Sequence, residues 1–194
     1  RPDLRGQKVD IPPQGSYGHT VFIGDEAFKG PLAGHWINMI DKEIGNLKQL
    51  EGKGLPVPKI TCEGRNAVFY GMTRLPGDVL GRRFEELSLD ELYALARDIV
   101  DFVINMANAL PQRNGAFAMH DDLHCYNIVI DPETNRLSGM IDFADVKYCK
   151  KSEWRAHWTL RGGGFDKLIE AEFDRRKSEI PDPPAIKRHA SPSV

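Results

Sequence analysis

Between His120 and Asp145 the chain gathers carboxylates and an amide at short intervals. The first run is His120-Asp121-Asp122-Leu123-His124-Cys125-Tyr126-Asn127; an apolar stretch leads to Asp131, and Gly139-Met140-Ile141-Asp142-Phe143-Ala144-Asp145 follows. An Asp with an Asn five residues later offers a carboxylate and an amide oxygen from one loop. A second Asp at the end of the next hairpin can close on them from the other side. Phosphoryl transfer asks for little covalent chemistry: one carboxylate to orient the attacking hydroxyl, and oxygen ligands to hold magnesium on the phosphates. Asp122, Asn127 and Asp142 suit those tasks. Singly, each would be an ordinary polar loop residue; the joint spacing gives them weight.

This block resembles the catalytic loop of the protein-kinase-like superfamily, whose pattern is H-x-D-x-x-x-x-N followed by a D-F-G-type motif. The form HxDLHxxN followed by IDFAD is most similar to the aminoglycoside-phosphotransferase branch. The resemblance implies that Asp122 orients the acceptor hydroxyl, that Asn127 and Asp142 bind Mg2+, and that His120 packs beneath the loop. Upstream, Gly15-Ser16-Tyr17-Gly18 resembles the tip of a glycine-rich phosphate loop. Ala27-Phe28-Lys29 resembles the strand of the phosphate-binding lysine. Glu43-Ile44-Gly45-Asn46-Leu47-Lys48-Gln49-Leu50 resembles the helix that pairs with it, so Glu43 would fix Lys29. Residues Met72 to Leu75, Arg74 among them, would form the hinge that receives adenine. The likeness covers about residues 11–148. It implies an α+β, minimal bilobal kinase-like fold: an N-lobe over residues 1–75, a truncated C-lobe over 76–180 and a disordered tail over 181–194. It also implies an enzyme that uses ATP and Mg2+, with Asp122, Lys29 and Asn127 as its catalytic residues.

The departures bear on the acceptor. Asp121 replaces the Arg of H-R-D, so control by activation-loop phosphorylation is not expected. Ala144 replaces the usual Gly, and there is no A-P-E motif. Only about 50 residues follow Asp142, and one long helix fits between hinge and loop. A chain so short resembles the minimal type III effector kinases of the HopBF family. That resemblance implies virulence, injection into host cytoplasm and phosphorylation of the chaperone HSP90 on serine. Two other readings stand beside it: a small-molecule kinase acting on an aminoglycoside or sugar, cytoplasmic in that case, and a pseudokinase scaffold. The H-D pair at His120-Asp121 also resembles metal-dependent phosphohydrolases, but His19, His35, His157 and His189 are too scattered to supply further ligands.

The elements that must position these residues are legible in part. Val21 to Ile23 and Ala27 to Lys29 flank Gly24-Asp25, a hairpin signal. Ile37, Ile40, Ile44, Leu47 and Leu50 recur at helical spacing, which predicts a helix over 36–50 despite Gly45 and Asn46. Short strands are predicted at 57–61, 67–72, 117–119, 128–130 and 137–141. Ser88 and Glu91 form a capping box ahead of Leu92, Leu95, Ile99, Val103, Met106 and Leu110, one long amphipathic helix. A last helix is predicted over 165–177 after Gly162-Gly163-Gly164, which reads as a flexible turn. Residues 1–14 read as an extended lead-in, and Lys147, Lys150, Lys151 and Arg155 as a solvated basic face.

Bulk composition excludes several classes. Of 194 residues, 41% are hydrophobic and 28% charged, as in an ordinary globular protein. With 26 Lys and Arg against 28 Asp and Glu, the net charge of -2 gives no basis for nucleic-acid or anionic-membrane binding. Cys62, Cys125 and Cys149 form no disulfide framework or zinc pair. No apolar run is long enough to span a bilayer. A monomer is expected. The chain opens on Arg1 rather than Met, as a trimmed chain would, and any upstream targeting segment would lie beyond this sequence.

Overall fold

The computed structural model describes residues 2–13, 18–64, 69–154 and 164–182. Strands β1 (Val9–Asp10), β2 (Gly18–Ile23), β3 (Glu26–Pro31), β4 (Ile60–Glu63) and β5 (Tyr70–Thr73) make one antiparallel sheet, ordered β1-β2-β3-β5-β4. The Gly24-Asp25 turn closes the β2–β3 hairpin, with Ile23 opposite Glu26. Helix α1 (Ile37–Leu50) follows β3 and buries Ile40, Glu43, Ile44, Leu47 and Leu50, at spacings of three and four. Glu43 is the one charged residue on that face.

The β5 strand runs out through Arg74 to Gly77, whose φ of +112° suits glycine alone; a Cβ there would sit 2.1 Å from the Ile130 carbonyl oxygen. The chain then forms β6 (Asp78–Val79) and the short helix α2 (Leu80–Arg83). Helix α3 (Leu89–Ala109) begins at Ser88 with both bonds of the capping box, and buries Leu95, Ile99, Phe102, Val103 and Met106 among others. Strands β7 (Phe117–His120), β8 (Ile128–Ile130), β9 (Leu137–Met140) and β10 (Val146–Cys149) frame the loops that carry the acidic residues. β8 pairs with β6 and β9, and β10 with β7. Helix α4 (Phe165–Arg176) packs against α3, and its Phe173 stacks on Phe117 and against Trp154. The buried apolar residues form one continuous core from Ala27 on β3 to Ile180. Among the described residues no helix is long and apolar enough to cross a membrane.

The architecture is the α+β arrangement expected, with several local differences. The strand expected from Val57 starts only at Ile60, because Pro56 and Pro58 have no N–H for a ladder. The extended lead-in contains β1. The stretch between hinge and α3 also holds β6, α2 and a short 3-10 turn, more than the single helix expected. Val146–Cys149, part of the expected basic face, is strand β10. Gly162 and Gly163, Arg155 and the tail beyond Asp182 lie outside the described residues.

Candidate active site

Lys29 stands on β3 with its side chain 11% exposed. Its ammonium lies 2.7 Å from Glu43 Oε2 and 3.0 Å from Asp142 Oδ1. Burial opposes the charge on Lys29, but the two carboxylates outweigh it and hold the pKa above the ordinary lysine value. Burial raises the Glu43 pKa, against the pull of Lys29. Tyr70 on β5 is fully buried next to this pair. Burial foremost, and then the Glu43 charge beside it, lift the pKa of its hydroxyl well above the usual phenol value.

Helix α1 grips the second acidic segment directly. Glu43 Oε1 accepts from the Phe143 N–H at 3.3 Å, and Asn46 Nδ2 donates to the Phe143 carbonyl at 2.7 Å. The Phe143 ring is buried against His120 and Phe102. Asp142 itself has φ +64°, a left-handed conformation that a non-glycine residue holds only under tertiary constraint. Its side chain remains 27% exposed.

The loop between β7 and β8 carries the other half of the site. His120 is fully buried and reaches the Ile141 carbonyl through Nε2 at 3.0 Å, while Nδ1 accepts from the Asp122 N–H at 3.2 Å. Asn127, 5% exposed, donates from Nδ2 to the Asp122 carbonyl at 2.9 Å and to Asp122 Oδ2 at 3.0 Å. The Ile141 N–H donates to the Asn127 carbonyl, which sets Asp142 next to the loop. With Nδ2 so engaged, Asn127 presents Oδ1 as an acceptor. Asp142 likewise keeps Oδ2 beyond its Lys29 contact. An amide oxygen and a carboxylate make an all-oxygen donor pair suited to a hard cation, which phosphates and water would complete. Among the described residues no cluster of three or more His, Cys, Asp or Glu forms a self-sufficient metal site.

Lys29, Glu43, Asp122, Asn127 and Asp142 are thus brought together. Gly18 opens β2 so close to β3 that a Cβ would meet the Gly30 carbonyl at 2.8 Å. Gly15, Ser16 and Tyr17 lie outside the described residues. Met72 is buried in β5. The Arg74 guanidinium covers the Phe22 ring at 4.2 Å, and the Arg74 backbone N–H donates to the Asp25 carbonyl. Asp121, at the position of the usual Arg, pairs with Lys147 of β10.

By its type alone Asn46 is a helix-weakening residue, and the structure shows that it grips Phe143. Its signal was available: an amide three positions after Glu43 falls on the same helix face. A polar cavity of about 180 Å³, lined by Asn46, Gln49, Arg113 and Tyr148 among others, involves none of the residues around Asp122.

A five-stranded antiparallel sheet with one helix, joined to a helical part that holds the acidic loops, is the fold of the kinase-like phosphotransferases. The structure is similar to aminoglycoside phosphotransferase APH(2'')-Ib with ADP bound, at 15% identity and a TM-score of 0.71, over 92% of this chain and 81% of that one. It is similar to the GDP complex of wild-type aminoglycoside 2'-phosphotransferase-IIIa, at 17% identity and a TM-score of 0.73, over 89% and 79%. It is also similar to APH(3'')-Id from Streptomyces rimosus in complex with ADP and streptomycin, at 14% identity and a TM-score of 0.65, over 93% of each chain. The chain belongs to the APH phosphotransferase enzyme family, whose model matches residues 13–118. That match ends two residues before His120, so the loop from His120 to Asp142 rests on its own residues and geometry. A search of the curated proteins by sequence finds no match.

Proposed function

We propose that this protein transfers the γ-phosphoryl group of ATP to a hydroxyl of a small molecule of the aminoglycoside or sugar type. The observation that carries the reading is the contact of Lys29 with both Glu43 and Asp142, beside the Asp122–Asn127 pair. Lys29 would bind phosphate oxygens, with Glu43 holding its ammonium in place. The glycine-rich segment Gly15 to Gly18 would cover the phosphates, and the stretch Met72 to Arg74 would receive the base. Asn127 Oδ1 and Asp142 would hold Mg2+, which when bound neutralises charge on the phosphates. Asp122 would orient the acceptor hydroxyl and take its proton as the new O–P bond forms and the bond to the β-phosphate oxygen breaks. Residues 1–75 would serve the nucleotide and 76–180 the acceptor.

Family membership supports a small-molecule acceptor, and so does the likeness to proteins solved with streptomycin, gentamicin and kanamycin. A second reading, transfer to a protein such as host HSP90 by a secreted effector, draws on one observation. Asp122 is 34% exposed and Tyr126 57% exposed, so the loop opens towards a surface. The assembled ionic site speaks against a scaffold without turnover.

The deciding measurement is transfer from labelled ATP with Mg2+ to a panel of aminoglycosides and sugars, and in parallel to purified HSP90 and a eukaryotic lysate. Labelling of one small molecule, about 10²–10⁴-fold weaker in Asp122→Ala and lost in Asp142→Ala, is expected. Labelling of a single protein would install the second reading. Undiminished transfer by both variants would overturn the mechanism in either form.

A further inference from the structure

Asp122 has a second neighbour besides Asn127. The His124 ring places Nε2 3.4 Å from Asp122 Oδ2, the oxygen that already accepts from the Asn127 amide. The other ring nitrogen, Nδ1, accepts from the Tyr126 N–H at 3.1 Å. A nitrogen that accepts carries no proton, so in the neutral ring the proton sits on Nε2 and faces the carboxylate. The loop fixes this orientation. The His124 N–H donates to the Asp122 carbonyl, the Asn127 N–H to the His124 carbonyl, and the Gly81 N–H of α2 to the Cys125 carbonyl. Gly81 also lies so close to the Tyr126 ring that a Cβ would approach within 2.9 Å. Oδ2 therefore has one hydrogen bond, from Asn127, and the His124 ring nitrogen at 3.4 Å beside it, while Oδ1 meets no donor among the described residues.

We propose that His124 is a positioning residue for Asp122: together with Asn127 it holds Oδ2, and so dedicates Oδ1 to the acceptor hydroxyl. A carboxylate with one oxygen pinned can rotate little about its terminal torsion, which keeps the other oxygen aimed at the incoming O–H. The role of the ring is to orient the carboxylate. Its tautomer is set by backbone, and the proton released by the hydroxyl goes to Oδ1. The inference rests on the reading of Asp122 given above.

The test uses the whole chain with ATP and Mg2+, water serving as acceptor, and ADP binding measured by calorimetry. His124→Ala is expected to lower kcat about tenfold with the KM for ATP and the ADP affinity unchanged. His124→Gln, whose amide nitrogen reaches the place of Nε2, is expected to restore kcat to within about threefold of wild type. Wild-type kcat in His124→Ala, with Asp122→Ala inactive, would remove His124 alone and leave the phosphotransferase reading intact. Equal losses in both His124 variants with weakened ADP binding would mark a merely structural residue. Full turnover in Asp122→Ala would remove both readings. Two-bond 1H–15N spectra decide the point where turnover with water is too slow to follow. The His124 ring should appear as the Nε2–H tautomer, with its Nε2 signal moved in Asp122→Ala; an Nδ1–H tautomer or an unmoved signal overturns the proposal.

Discussion

His120 holds the loop between β7 and β8 through both ring nitrogens, one donating to the Ile141 carbonyl and the other accepting from the Asp122 N–H. Only the neutral ring can do both. Burial keeps its pKa below the ordinary value of 6.5, against the smaller pull of the Ile141 carbonyl and the Asp142 and Asp122 charges. The unfolded chain therefore binds a proton that the folded one refuses. Above about pH 6.5 neither state binds it and stability is flat in this group; below that, stability falls as pH drops towards the lowered value. Urea midpoints should hold steady from pH 8 to 7 and decline from 6.5 to 5, with a shallower decline in His120→Asn. An unchanged slope in the variant would show that another group controls acid sensitivity. At this scale the grouping of Asp122, Asn127 and Asp142 was legible because they are spaced along one loop and hairpin that the fold brings together. The contacts of Asn46 with Phe143 and of His124 with Asp122 were not, because the partner of an amide or imidazole is set only by the atoms the fold places opposite it.

Helix α3 was the element most fully legible, down to its first residue. The Ser88 hydroxyl accepts from the Glu91 N–H, and Glu91 Oε2 accepts from the Ser88 N–H at 2.7 Å. Glu91 Oε1 goes further and accepts from Asn135 in the β8–β9 turn, which ties the helix start to the acidic hairpin. The Ser88 hydroxyl foremost, with Asn135, lowers the Glu91 carboxyl pKa to about 2. Ser88→Ala should cost about 1 kcal/mol and lower the Tm by a few degrees in thermal unfolding followed by circular dichroism. No loss would mean that Asn135 alone secures Glu91. The elements missed were β1, β6, α2 and β10, each of two to four residues. Pieces so short show no periodicity; β10 is a strand because Val146 to Cys149 lie opposite His120 to Phe117, and α2 because Leu80 reaches the core.

Across the whole molecule the site is made of contacts distant in sequence. Lys29 and Glu43 are 14 residues apart, but Lys29 and Asp142 are 113 apart, and Glu43 meets Phe143 across 100. Closing the longer loop costs roughly three doublings of length, or about 2 kcal/mol more than the shorter one. Local pairs and α3 can therefore form early, while Asp142 must wait for the sheet, α1 and the acidic hairpin to meet. In refolding from urea, far-ultraviolet ellipticity should return ahead of ADP binding; simultaneous recovery would show the long contacts already present in the rate-limiting ensemble. The left-handed Asp142 then has a kinetic meaning. A residue that the local chain resists is expected to be set only when everything around it is in place, so the site around Asp142 should be the last part of the protein to exist, and a partly folded chain should carry no exposed, half-working phosphotransferase.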